Sequence, residues 1–138
     1  MVSVVPVEPS PGFVMILRFR PPDDVALLAA LREAVALLVG CAGCVDARIT
    51  RAVDDGHLIL LMVGWDNVGS YRRALSSYDV KVAVVPLLAQ AVDEATAFEV
   101  LHQRDASGVR DAVSARAADA DTVSLGEAAA EHVPPAAS

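Results

Sequence analysis

The sequence of 138 residues holds few of the groups on which most catalytic sites depend. It has three histidines, two cysteines and a single lysine, Lys81. It contains neither a glycine-rich phosphate loop nor the nucleophile motif of a serine hydrolase. The acidic pairs all fall at predicted helix starts, turns or strand approaches: Asp23-Asp24, Asp54-Asp55 and Asp93-Glu94. Capping and solvation explain carboxylates in such places, which argues against a hydrolase or a metal enzyme.

Positive charge and long apolar runs are also scarce. The net charge of −7 and the pI near 4.7 disfavour nucleic acid or an anionic membrane as a partner. Although 54% of the residues are hydrophobic, no run reaches the roughly 18 apolar residues of a membrane span. The first twelve residues lack the early basic residue and unbroken apolar stretch of a secretory signal. We therefore expect a cytoplasmic protein.

The two cysteines, Cys41 and Cys44, form the motif CAGC. Such a pair can be a redox dithiol or half of a zinc site, but no second pair and no nearby pair of histidines completes a metal site. A thioredoxin-like dithiol begins a helix, whereas this motif follows a predicted helix and precedes a strand. We interpret it as two small half-buried residues in a turn, and leave a redox role open.

The centre of the sequence predicts a β-hairpin followed by a helix. Strands over 45–53 and 57–65 flank Asp54-Asp55-Gly56, where glycine would supply the positive φ of a tight turn. The second strand is apolar on both faces and ends in Trp65. Asp66 and Asn67 then suit the start of a helix over about 67–78.

The remaining segments complete one domain, over 13–102, between an extended arm at 1–12 and an Ala/Asp-rich, largely disordered tail at 103–138. Residues 13–20 predict a strand, 79–92 a helix kinked or broken near Pro86, and 95–102 a strand. Asp23 or Asp24 caps a helix that ends before Gly40. Its predicted buried face comprises Val25, Leu28, Leu31, Val35 and Leu38, widened by Leu27 and Val39.

This order predicts an α+β, ferredoxin-like βαββαβ antiparallel sheet with its helices on one face. Helices on one side leave the other side of the sheet bare. The first strand nevertheless places Val14 and Ile16 opposite its other apolar residues, and the strand from His57 is apolar on both sides. An antiparallel sheet facing water should alternate. We therefore expect a second copy to cover this face in a homodimer.

Residues 13–102 resemble the antibiotic biosynthesis monooxygenase (ABM) domain of the dimeric α/β-barrel superfamily. The resemblance is carried by FVMILRFR with its following helix, the turn at Gly43 before ARITR, the DDG turn, the strand closing in GWDN, and the helix with Tyr71 and Arg72. It implies a dimeric α/β barrel. Family members include cofactor-free oxygenases of polycyclic phenols or quinols, haem-degrading oxygenases and small dimeric proteins of unproven activity.

Two departures from the family pattern bear on function. The usual Pro-Gly turn is Ala42-Gly43 here. The haem-degrading branch has an asparagine on the first strand and an axial histidine after the second helix. FVMILRFR contains no asparagine, and no histidine lies between Trp65 and His102. We therefore expect no haem and no other cofactor.

Three residues are candidates for substrate binding: Trp65, Arg18 and Tyr78. Trp65 can stack on a planar substrate or simply cover the strand end in the core. Tyr78 is predicted to share a helix face with Tyr71, where each ring can contact substrate or pack on the sheet. Arg18 lies within an otherwise apolar strand, so it is expected at the sheet end or in a ligand or ion-pair contact.

Three residues are candidates for catalysis: Tyr71, Arg72 and His57. The Tyr71 phenol can donate a hydrogen bond or orient a phenolate. Arg72 can hold an anion, although a solvated helix arginine is the plainer interpretation. His57 can act as a base but is predicted to be exposed after the turn.

Two hypotheses follow. The first is a cofactor-independent monooxygenase acting on an aromatic, phenolic or quinol-type small molecule, in which the protein shields and holds a substrate anion that itself reduces dioxygen. The second is a non-catalytic dimeric module that binds a small apolar ligand or regulates a partner. The small number of polar side chains available for a site is compatible with both hypotheses.

Overall fold

The structure, a computed structural model, describes residues 12–113. Its elements are β1 (Phe13–Phe19), α1 (Asp24–Val39), β2 (Cys44–Arg51), β3 (Ile59–Trp65), α2 (Val68–Ser76), α3 (Tyr78–Gln90), β4 (Ala97–Glu99), β5 (His102–Asp105) and β6 (Gly108–Asp111). Strands β1 to β4 form one antiparallel sheet in the order β2-β3-β1-β4. This is the predicted ferredoxin-like α+β arrangement, and the prediction is confirmed.

The two central strands, β1 and β3, bury every second residue. The buried residues of both strands share a core cluster with residues of all three helices: Phe13, Met15, Leu17 and Phe19 from β1, and Ile59, Leu61, Val63 and Trp65 from β3. The intervening residues lie on the opposite side of the sheet and are only half-buried. We call that side the open face. It carries Val14 and Ile16 from β1, Leu60 and Met62 from β3, and Phe98 from β4, which pairs with Val14.

Helix α1 begins where predicted, because Asp23 accepts a hydrogen bond from the backbone N–H of Ala26 at 3.1 Å. Its buried face differs from the prediction. Leu27, Leu31, Ala34 and Leu38 are buried. The predicted Val25 and Val39 are 79% and 52% exposed. Ala34 is buried although it was not among the predicted residues, because periodicity does not single out one face of a helix that is apolar on several faces.

The β2–β3 hairpin is present, but its connection is wider than a tight turn. The strands end at Arg51 and resume at Ile59, and Gly56 does not have the predicted positive φ. Side chains hold the loop instead. Arg51 Nη1 donates to the carbonyl oxygen of Gly56 at 2.6 Å and to Asp24 at 3.0 Å, and Arg20 pairs with Asp55 at 2.8 Å. The loop is thereby tied to β1 and to the start of α1.

The helix predicted over 67–78 ends earlier, at Ser76. Ser77 has extended backbone (φ −74°, ψ 139°), closes α2 and accepts a hydrogen bond from Val80 N–H as the cap of α3. Because of this break, Tyr78 starts a different helix, so the predicted face shared with Tyr71 is wrong. Helix α3 then continues past Pro86, which is exposed, to Gln90.

The last part of the described chain also differs from the prediction. The strand predicted over 95–102 is the three-residue β4, and residues 102–111 form the exposed β5–β6 hairpin where disorder was expected from 103 onward. The arm at 1–11 and the rest of the predicted tail, at 114–138, lie outside the described residues. Within residues 12–113, no helix is both long and apolar enough to cross a bilayer.

The turn between α1 and β2 depends on Gly43, which has φ +89°. A Cβ at this position would lie 2.2 Å from Ser70 Oγ and 2.7 Å from Asp66 Oδ1. The Gly43 carbonyl also accepts a hydrogen bond from Asp66 N–H at 2.8 Å. The turn and the start of α2 are therefore in direct contact, at a place where only glycine fits.

Replacing Gly43 by alanine is expected to lower the free energy of unfolding by about 1–3 kcal/mol, because the substitution adds backbone strain and a clash with Ser70. Gly56→Ala is the matched control, since nothing lies within 4 Å of its Cβ position. That control should change stability by no more than about 0.5 kcal/mol. Urea unfolding of both variants measures the difference, and equal effects would show that the Gly43 contact is not as close as described.

Candidate functional site

An aromatic cluster lies between the sheet and α2. Trp65, the last residue of β3, pairs across the sheet with Phe13, the first residue of β1. Tyr71 of α2 covers both rings. Its ring centroid is 4.8 Å from that of Phe13, with the rings tilted by 35°, and 6.0 Å from that of Trp65, with the rings edge to face at 63°. We call these three residues the aromatic cluster.

Local sequence explains why Tyr71 faces the sheet. Asn67 caps α2 by accepting a hydrogen bond from Ser70 N–H at 2.9 Å. Ser70 Oγ donates to Asp66 Oδ1, and Arg73 Nη2 donates to Ser70 Oγ at 3.1 Å. These bonds fix the first turn of α2 directly after Trp65, so the next residue, Tyr71, is held against the end of the sheet.

The aromatic cluster contains two polar donors in an apolar setting. Trp65 is 2% exposed, and its Nε1 is buried with no hydrogen-bond partner within the described part of the chain. Leaving such a donor unpaired costs roughly 1–3 kcal/mol. An unpaired buried donor of this kind requires a physical reason, and an acceptor brought by a ligand is one such reason.

The second donor is the Tyr71 phenol. Burial raises the pKa of Tyr71 above its ordinary value, and the charge of Arg72 lowers it by a smaller amount. The phenol is therefore protonated at neutral pH and available as a hydrogen-bond donor. An indole N–H and a phenol O–H beside aromatic rings suit a planar ligand that carries a carbonyl or phenolate oxygen.

The other predicted site residues lie elsewhere. Arg72 follows Tyr71 but is exposed. His57 is exposed before the start of β3, at the opposite end of that strand from Trp65. Tyr78 is 78% exposed at the start of α3. Of the six predicted residues, the structure brings only Trp65 and Tyr71 into contact.

Arg18 lies on the opposite side of the sheet from the aromatic cluster, paired in register with Leu60. Its Nη1 donates to the carbonyl oxygen of Ala95 at 2.8 Å, and its Nε lies 3.4 Å from Glu94 Oε1. The ion-pair alternative considered for this residue is the contact that the structure contains.

Two residues of the site were not predicted: Phe13 and Ser70. Phe13 was only one of the other apolar residues of the first strand, and the strand register places it against Trp65. Ser70 is 2% exposed and polar, and its spacing of four from Asp66 on a helix start was the available signal. In residues 12–113, no group of three or more His, Cys, Asp or Glu side chains is placed to hold a metal ion.

Comparison with known proteins places the fold. No family model matches the sequence, and no curated protein matches it. Among solved structures, SnoaB from Streptomyces nogalater, a cofactor-independent oxygenase, superposes with a TM-score of 0.56 at 19% identity, covering 64% of this chain and 92% of that protein. Rv0793 from Mycobacterium tuberculosis gives 0.56 at 18% identity, over 69% and 98%. A putative antibiotic biosynthesis monooxygenase from Chloroflexus aurantiacus gives 0.50 at 24% identity, over 64% and 88%.

These similarities define the class of fold. The chain has the fold that SnoaB and the Chloroflexus protein share. At such identities the likeness concerns the fold alone, so the function has to be argued from the aromatic cluster and the open face.

The burial of Tyr71 gives a direct test. In a Tyr78→Phe background, Tyr71 is the one tyrosine of the chain, so phenolate absorbance reports on it alone. We expect its titration midpoint in the folded protein to lie above the midpoint in concentrated urea, which should be near the model-peptide value of about 10. A folded-state midpoint at or below the urea value would show that the ring is solvated and that the aromatic cluster is open to water.

Proposed function

We propose that this protein is a cofactor-independent monooxygenase-like protein that acts on an aromatic, phenolic or quinol-type small molecule. The observation that carries the proposal is the buried Trp65 N–H, which has no acceptor among residues 12–113 and whose ring contacts that of Tyr71. The fold supports it, because SnoaB, which has the same fold, is a cofactor-independent oxygenase.

The proposed oxygenation requires few functional groups from the protein. The anion of an electron-rich substrate passes an electron to dioxygen, and the resulting radicals join in a C–O bond to give a peroxide anion. This anion takes up the proton that the substrate released, and the hydroperoxide loses water, with the hydrogen of the reacting carbon, to leave a carbonyl. One oxygen atom enters the product and the other leaves as water. The protein must hold the anion and exclude water, and both donors of the aromatic cluster can serve the first purpose.

The proton acceptor is the remaining requirement. The predicted base, His57, is exposed at the far end of β3, and the aromatic cluster itself consists of two donors and a phenylalanine. We therefore propose that water takes up the substrate proton, and that hydrogen bonds from the site favour the ionised form of a substrate such as an anthrone or a hydroquinone. Trp65 and Tyr71 would hold its oxyanion, and the exposed Arg72 beside Tyr71 would add positive charge nearby.

We also propose that the protein is a homodimer through the open face. That face of β1 and β3 presents Val14, Ile16, Leu60 and Met62. Contiguous apolar side chains of this kind normally mark an interaction surface. A two-fold copy of the same sheet would cover them and complete the dimeric α/β barrel that the family resemblance implies.

A second function has its own support. A raised phenol pKa makes Tyr71 a poor base and a good fixed donor, which suits binding as well as catalysis. A non-catalytic dimeric module that holds a small aromatic ligand, or regulates a partner, is the alternative proposal.

Oxygen uptake tests the oxygenase proposal. With anthrones or hydroquinones, the full-length protein should consume oxygen faster than the spontaneous rate. Tyr71→Phe is expected to lower kcat/KM by about 10- to 100-fold, because it removes a donor that stabilises the developing oxyanion. Tyr78→Phe removes the same hydroxyl from an exposed ring and should change kcat/KM by less than about twofold.

The result also separates the two proposals. No uptake above the spontaneous rate across the panel would overturn the oxygenase for those substrates. If the same compounds then quench Trp65 fluorescence saturably, and Tyr71→Phe weakens that binding, the binding module is supported instead.

Light scattering tests the dimer. At micromolar concentration the protein should have the mass of two chains, and Ile16→Lys should convert it to one chain by placing a charge in the open face. Val25→Lys, on the outer surface of α1 where the side chain is 79% exposed, is the matched control and should leave the mass unchanged. A wild-type monomer would contradict the proposed dimer.

A further inference from the structure

The CAGC turn brings the backbones of its two cysteines close together. Cys44 N–H donates to the Cys41 carbonyl at 3.2 Å, and Gly43, the third residue of the turn, has φ +89°. This is the arrangement of a type II β-turn, in which the first and fourth Cα atoms lie less than about 7 Å apart. Disulfides join residues whose Cα atoms are roughly 4.4–6.8 Å apart. The turn therefore needs little backbone movement to accept a Cys41–Cys44 bond.

Both thiols are free and half-buried. Each makes one weak contact with a nearby carbonyl: Cys41 Sγ with Leu37 at 3.5 Å, and Cys44 Sγ with Asp46 at 3.7 Å. Neither contact anchors a sulfur firmly, because thiols are weak donors. Rotation of the two sulfurs toward each other would therefore break only these two weak contacts.

The same turn adjoins the aromatic cluster. Cys44 is the register partner of Trp65 across β2 and β3. The Gly43 carbonyl accepts the hydrogen bond from Asp66 N–H, and Gly43 packs against Ser70 at the start of α2. A covalent change in the turn therefore acts on the residues that hold Trp65 and Tyr71 in place.

We propose that Cys41 and Cys44 form a reversible disulfide across this turn, a modification site whose oxidation is transmitted to Trp65 and the first turn of α2. The proposal does not depend on the oxygenase proposal, because it rests on the turn geometry and on the pairing of Cys44 with Trp65. It assigns the CAGC motif a role besides packing.

The oxidant is a low-molecular-weight disulfide. One cysteine thiolate attacks it, forming a mixed disulfide and releasing the first small thiol. The second cysteine thiolate then attacks the protein sulfur of that mixed disulfide, forming the Cys41–Cys44 bond and releasing the second small thiol. The protein loses two electrons and two protons, and the small disulfide takes up both. A dithiol reductant reverses the exchange.

The surroundings of Cys44 favour a stable Cys41–Cys44 disulfide over one that is easily reduced. Burial, the neighbouring Cys41 and the Asp46 carboxylate raise the pKa of Cys44. A thiol of high pKa forms little thiolate and is a poor leaving group from a disulfide. The bond should therefore form slowly and, once formed, resist reduction by single thiols.

Intact-mass analysis tests the proposal on the full-length protein. The protein is equilibrated with mixtures of oxidised and reduced glutathione, quenched in acid, and alkylated under denaturing conditions. The wild type should lose two hydrogen atoms of mass and take up no alkylating agent. Cys41→Ser and Cys44→Ser, the matched controls, have no second cysteine in the chain and should carry one glutathione instead.

Three outcomes would overturn the proposed disulfide: two cysteines that are both alkylated, a glutathione on each cysteine, or a disulfide between two chains. Transmission to the aromatic cluster has a separate readout in Trp65, the single tryptophan. Its fluorescence should fall on oxidation, recover on adding dithiothreitol, and stay constant in the double variant Cys41→Ser/Cys44→Ser, which can form neither an internal nor a mixed disulfide. An intramolecular disulfide with unchanged Trp65 emission would overturn the transmission.

Discussion

The register between β1 and β3 is the constraint on which the rest of the structure depends. Seven consecutive residue pairs, from Phe13↔Trp65 to Phe19↔Ile59, place the buried residues of both strands on the same side of the sheet. A slip of one residue would turn one strand's large side chains toward the open face and break the core cluster. Because both strands are apolar on both sides, composition alone does not exclude that slip. The ends of the strands do: the proline pair closes β1, and Asp66 and Asn67 close β3.

The same register assembles the candidate site. Trp65 ends β3 between two neighbours in one row of the sheet, Cys44 on β2 and Phe13 on β1. Tyr71 reaches this row because the Asn67 cap starts α2 immediately afterwards. Backbone pairing, a helix cap and a glycine turn thus meet within a few residues. The Trp65 N–H, which has no partner among residues 12–113, thus lies where these three features stabilise the fold together.

Element order could be predicted from the sequence, because proline, Asp-Gly and capping residues mark the boundaries of β1, α1 and the hairpin. Finer features could not. The face that α1 buries includes Ala34 and leaves Val25 and Val39 exposed, and hydrophobicity does not distinguish these positions on a helix that is apolar on several faces. Nothing in the sequence indicated the helix break at Ser77, since Ser76 and Ser77 also suit the surface of a continuous helix. In the candidate site, Trp65 and Tyr71 stood out as rare aromatics, whereas Phe13 and Ser70 depend on long-range register and on a contact with Gly43.

The aromatic cluster and the open face lie on opposite sides of the same sheet. A second copy that covers Ile16 and Met62 would therefore add nothing to the ligand side of Trp65. Arg18 is on the open face beside Glu94, on the opposite side of the sheet from the aromatic cluster. Assembly and ligand binding would then communicate through the backbone of β3. The turn at Gly43 contacts Asp66 directly after the end of that strand, so a chemical change in the turn would act first on the candidate site.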